Sequence, residues 1–161
     1  MYNNSLIVES GDRNTYVSYE DIYEYSYSSD YSSYDVSFAG ESSLTSAIDY
    51  VVTEEFPQLY VLEGHGEPDL PDSFREQIEK DNIEINTLSL LTVDEIPEEA
   101  DCIMIYAPAT DISQEEKEML ASYTQNGGKL LVLAGPSKES SLDNLNTCSP
   151  TTAWRPVRAS R

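Results

Sequence analysis

Residues Asp101–Gly135, DCIMIYAPATDISQEEKEMLASYTQNGGKLLVLAG, leave this chain few folds to choose from. They read as one strand–helix–strand unit. Cys102–Tyr106 is a short apolar run closed by Pro108, the pattern of a strand buried on both faces. Thr110–Ser113 offers polar helix caps, and Ser113 with Glu116 has the spacing of a capping box. Met119, Leu120 and Tyr123 form an apolar stripe, and Asn126-Gly127-Gly128 stops the helix. Lys129–Ala134 is then a second apolar strand. Strands joined through a helix in this way run parallel, whereas an antiparallel pair needs only a tight turn. The sequence therefore predicts a parallel α/β layer and directs the search for function to the carboxyl ends of its strands.

The flanking segments extend that layer. Glu41–Glu55 predicts a helix, with Leu44, Ala47, Ile48, Val51 and Val52 at helical spacing and Pro57 beyond its end. Leu59–Glu63 predicts a strand that opens onto Gly64-His65-Gly66-Glu67. Pro71–Asp81 predicts a polar helix turning Phe74 and Ile78 inward, and Ile83–Leu90 alternates like a strand. The acid-rich Val93–Ala100, broken by Pro97, connects to the opening unit. Nearer the start, Ser5–Glu9 and Thr15–Tyr19 flank Gly11-Asp12 as a short hairpin. Tyr23–Ser37 is dominated by Tyr and Ser. Its alternation suits an exposed strand and its polarity a flexible loop, and we read it as a partly ordered loop. The expected fold class is α/β, a three-layer sandwich on a mainly parallel sheet with a partly antiparallel amino-terminal piece, in a single domain over residues 1–147.

Charge narrows the partners. The formal net charge is −21, and every acid lies within residues 1–147. Such a surface repels phosphate backbones and anionic headgroups, so no nucleic-acid partner is expected. Its plainer reading is a well-solvated soluble domain, and its sharper one a domain in an extracytoplasmic setting that attracts cations or basic partners. Two cysteines build neither a disulfide framework nor a four-ligand zinc site. No run reaches the ~18 apolar residues of a membrane span, and the amino terminus does not read as a signal peptide. Any membrane attachment would come through anchors absent from this chain.

Residues 148–161, CSPTTAWRPVRASR, break the trend, with no acid, three arginines and the only tryptophan. Thirteen of these residues can be encoded so that restoring one base ahead of Cys148 yields Leu-Leu-Ala-Asp-Tyr-Gly-Leu-Glu-Ala-Ser-Glu-Gly-Ile. That shifted reading continues the preceding residues as an acidic, apolar-periodic helix. We therefore expect the tail to be frameshifted or non-native. The underlying codons decide it.

Two loops fall where a ligand crevice should open. In Gly64-His65-Gly66-Glu67 the glycines let the backbone approach another group closely. His65 is the sole histidine. It could act as a general base oriented by Glu67, or the two could hold a metal with Asp111 or Glu63. The alternative is a tight turn whose His and Glu bond neighbouring loops. In Pro108–Asp111, Thr110 and Asp111 are candidate caps for the next helix, and Gly135–Ser137 would line the same edge. No phosphate loop and no G-x-S-x-G elbow occurs, and neither cysteine sits at a strand-to-helix turn. The expected ligand-binding residues are Gly64, His65, Gly66, Glu67, Pro108, Thr110 and Asp111, with no catalytic residue, metal or cofactor. A small hydrolase or metal-dependent enzyme using His65, Glu67 and Asp111 is the rival. A carbohydrate-binding module, the third reading, would need exposed rings beside the crevice, with Tyr60 and Tyr106 the candidates.

LTSAIDYVV, LYVLEGHGE, IPEEADCIMIYAPATDISQEEKEML and NGGKLLVLAGPS, taken in this order, resemble the GldG-type auxiliary components of ABC transporters. That family includes uncharacterised transport systems and gliding-motility proteins. The likeness covers about Ser5–Thr147, and the frame-restored Leu-Leu-Ala-Asp-Tyr-Gly matches what such proteins carry after the last strand. The resemblance implies a bacterial extracytoplasmic domain held by flanking transmembrane helices and associated with ABC permease and ATPase subunits. It also implies a fold like class I glutamine amidotransferases (flavodoxin-like) without their catalysis, and a saccharide or a partner protein as the bound species.

Overall fold

A computed structural model describes residues 5–30, 32–133, 135 and 142–148. The chain divides into two compact units, residues 1–56 with 76–82 and residues 57–75 with 83–161.

In the first unit, β1 (Leu6–Ser10) and β2 (Arg13–Val17) form an antiparallel hairpin with Leu6 opposite Val17. One turn of helix, α1 (Tyr19–Ile22), follows behind a Ser18–Asp21 capping box. Next come β3 (Tyr23–Tyr27) and β4 (Tyr34–Phe38), antiparallel, with Tyr23 opposite Phe38 and Tyr27 opposite Tyr34. This corrects the expected loop over Tyr23–Ser37. Alternation, not composition, decides here, because every second residue lands on one face and finds an aromatic or branched partner across the ladder. Asp30 helps close the turn by accepting from the Ser28 and Ser32 hydroxyls and the Ser32 amide, which hold its carboxyl at about 2. Helix α2 (Gly40–Val52) packs on β1 and β2 and buries Ala47 and Val51. Past its carboxyl end, Arg13 stacks its guanidinium over Tyr50 at 4.7 Å and Phe56 at 5.2 Å and donates to the Thr53 carbonyl. The cation thereby meets both π faces and the negative end of the helix dipole.

The second unit carries the parallel sheet. Its strands are β5 (Gln58–Leu62), β6 (Glu84–Leu88), β7 (Cys102–Tyr106) and β8 (Lys129–Leu133), in the order β6-β5-β7-β8, every pair parallel. Helix α3 (Asp72–Lys80) lies between β5 and β6 in the chain, α4 (Gln114–Gln125) between β7 and β8, and α5 (Asp143–Asn146) after β8. The protein is thus mixed α/β, a four-stranded parallel sheet flanked by helices plus two antiparallel strand pairs. Strand β7 is the most deeply buried, with Ile103, Met104 and Ile105 at 2% exposure or less. Ile103 and Ile105 join Leu62, Leu88, Ile112 and Leu120 in one apolar cluster. Among the described residues no helix is long and apolar enough to cross a membrane.

Candidate functional site

After β5 the chain turns toward β6, and after β6 it crosses back to place β7 on the other side of β5. The carboxyl ends of β5 and β7 therefore flank the point where the winding direction reverses, the usual location of a ligand crevice in such sheets. The Gly64–Glu67 loop leaves β5 here and the Pro108–Asp111 loop leaves β7. The expected pair of loops does meet.

They meet by direct bonding. The His65 carbonyl accepts from the Ala109 amide at 2.9 Å, the Thr110 amide at 3.0 Å and the Thr110 hydroxyl at 3.2 Å. Gly64 and Gly66 both have positive φ, +119° and +77°, and a Cβ on Gly66 would lie 3.1 Å from the Ala109 Cβ. Backbone freedom is what lets His65 present its carbonyl so closely. Gly135, after β8, would drive a Cβ to 2.4 Å from the Ala107 Cβ, so the third expected loop also presses on this edge. Ser137 lies outside the described residues, as does Pro136.

The His65 side chain is 6% exposed and lies between two carboxylates. Nε2 stands 3.1 Å from each oxygen of Glu116, and Nδ1 faces Glu67 Oε1 at 3.4 Å without hydrogen-bond alignment. Each ring nitrogen thus faces a carboxylate, and which of the two carries a proton sets which carboxylate receives a hydrogen bond. Glu67 also turns back to accept from the His65 amide at 2.7 Å. Glu116 completes the capping box of α4, accepting from the Ser113 amide at 2.7 Å while Ser113 Oγ accepts from the Glu116 amide at 3.2 Å. Burial alone raises the Glu116 carboxyl, but the Ser113 amide and then His65 outweigh it and hold it below the usual glutamate value.

The spacing of Ser113 and Glu116 in the sequence correctly announces the cap. Glu116 as the partner of His65, 51 residues away, had no such announcement. Asp111 takes neither expected part. Its carboxylate accepts from the Asn144 amide at 2.8 Å and the Leu145 amide at 3.0 Å, the first turn of α5, and from the Ile112 amide. Ser113 already caps α4, so Asp111 serves the later helix and Thr110 anchors on His65. The rival triad of His65, Glu67 and Asp111 is replaced by His65, Glu67 and Glu116. Among the described residues no group of three or more His, Cys, Asp or Glu is arranged to hold a metal.

Pro108 is fully buried and Tyr60 and Tyr106 are each half-buried, Tyr60 against the apolar cluster. Burial raises both thiols, Cys102 in β7 and Cys148 beyond α5, away from the reactive thiolate. A wide depression of about 880 Å³ lies at the opposite edge of the sheet, between the Asp94–Asp101 connection and α4. None of the expected site residues lines it.

Residues 57–155 match the model of the family described as ABC-type uncharacterized transport system. The chain belongs to that family. The match begins at the threshold of β5, takes in the whole parallel sheet, and leaves residues 5–56 outside it. No curated protein and no solved structure matches the chain. Membership in this ABC transport family makes the chain an auxiliary component of such a system, and the reversal point of its sheet carries the charged cluster just described.

Proposed function

We propose that this chain is a non-catalytic accessory domain on the extracytoplasmic side of a bacterial membrane, working by association with the permease and ATPase subunits of its ABC transport system. The observation that carries the reading is the closed His65 cluster. Both ring nitrogens face carboxylates and the backbone carbonyl is filled by three donors, so the one imidazole at the reversal point works as a joint between β5, β7 and α4. A general base needs a nitrogen open to a substrate proton, and this ring is buried between its two carboxylates. The strand order supports an amidotransferase-like sheet. The motifs LYVLEGHGE and APATD support a place with the GldG-type components, including those of gliding motility. A bound ligand such as a saccharide would approach along the exposed rim of Gly64 and Gly66 and not through the buried Pro108.

The test has two arms. Co-expression of the full-length gene with its neighbouring ABC permease and ATPase should give a detergent-stable assembly. Failure of the three to co-purify would remove the partner reading. Turnover of glutamine or simple nitrophenyl esters that disappears in His65→Gln would restore the hydrolase reading.

A further inference from the structure

The ladder of β3 and β4 sorts its side chains by polarity. On one face stand three cross-strand pairs, Tyr23 with Phe38, Tyr25 with Val36, and Tyr27 with Tyr34. On the other stand Glu24 with Ser37 and Ser26 with Asp35. The rings touch one another, with centroids 5.8 Å apart for Tyr23 and Phe38 and 6.0 Å for Tyr27 and Tyr34. This apolar face remains open to solvent, as Tyr25 is 44% exposed, Val36 50%, Tyr34 60% and Phe38 69%. A two-stranded sheet is marginal by itself, and a contiguous apolar patch of this kind marks an interaction surface.

Charge chooses the occupant. From Tyr19 to Glu41 the chain carries six acids and no lysine or arginine, and no lysine or arginine occurs between Arg13 and Arg75. A second copy would bring a further −21 against this face, and anionic headgroups would be repelled in the same way. Tyrosine π faces beside carboxylates favour guanidinium and ammonium groups. The same unit already uses that chemistry, with Arg13 stacked over Tyr50 and Phe56. We propose that the aromatic face of the β3–β4 hairpin is a docking surface for an arginine- or lysine-rich segment of a partner protein. The surface lies outside the family-matched residues and stands independently of the reading of the His65 cluster.

A chain of this charge attracts any polycation, so the place of binding and its dependence on the aromatic side chains decide, and bare affinity does not. The experiment adds an alternating arginine–valine peptide to the isotope-labelled full chain and follows backbone amide and tyrosine ring signals. The expected result is a shift concentrated on residues 23–38. Tyr25→Phe/Tyr27→Phe/Tyr34→Phe should bind within about twofold of the parent, whereas serine at the same three positions should weaken binding at least tenfold. Shifts spread over the acidic surface, or equal shifts with a glutamate–valine peptide, would overturn the proposal. If the serine variant unfolds the hairpin, the shift map and the phenylalanine variant still decide, since loss of binding in the latter also overturns it. Tighter peptide binding in Arg155→Ser/Arg158→Ser/Arg161→Ser would make the chain's own tail the occupant. Concentration-dependent broadening without peptide would make it a second copy. Either result defeats the proposal.

Discussion

His65 holds two buried carboxylates apart, and removing it exposes what each would cost alone. In His65→Gln, Glu67 and Glu116 lose the imidazole that stands between them. Removing a partner from a buried carboxylate typically costs about 3–5 kcal/mol, and urea unfolding at pH 7 should show a midpoint lowered accordingly. His65→Gln/Glu116→Gln should recover part of that loss, because the second change removes a stranded charge. Acid provides a separate check. Glu116 is held below its ordinary value in the folded state, so its contribution is complete above the unfolded value and disappears as pH falls through the lower folded one. Urea midpoints taken down that range should fall more steeply for the parent than for Glu116→Gln. The cap of α4 was legible because Ser113 and Glu116 are neighbours in sequence. The pairing with His65 was not, since it depends on β5 and β7 lying side by side and no local pattern records which residues the sheet brings together.

Helix α5 is a single turn and takes its register from a carboxylate in a distant loop. Asp111→Ala removes the acceptor for the Asn144 and Leu145 amides. It should cost about 1–2 kcal/mol, the usual range for a lost cap, with faster hydrogen exchange at those two amides while β7 stays protected. The loop after β5 answers to backbone geometry instead. Gly66→Ala places a side chain at a φ of +77° and 3.1 Å from the Ala109 Cβ. A strained residue there costs on the order of 1–3 kcal/mol, and thermal unfolding should report it, while Gly11→Ala, at a φ of +58° but in open space, should report the backbone strain without the contact. The parallel strands and their crossover helix were readable because apolar runs and helix stops are local signals. The β3–β4 hairpin departs from the expected loop because its Ser and Tyr content resembles a loop, while its two-residue period agrees with a strand. Period is tied to side-chain direction and composition is not, so the period prevailed. Asp111 looks like a cap for the nearer helix for a related reason, as a cap on a helix some thirty residues later leaves no trace in spacing.

The whole molecule carries far more negative charge than its fold needs. With −21 spread over one small chain, mutual repulsion opposes compaction, and counterions relieve it. Raising sodium chloride from about 20 to 300 mM should therefore raise the urea midpoint, the opposite of what a chain stabilised by surface ion pairs would do. A midpoint that fell with salt would contradict this account. The three donors gathered on the His65 carbonyl have a further, mechanical consequence. They join the ends of two parallel strands side by side, so a force drawing β5 along its axis past β7 must stretch all three together and cannot peel them in turn. A load drawn along β5 would thus meet its stiffest resistance at this knot. The hairpins, whose bonds open one rung at a time, would yield first.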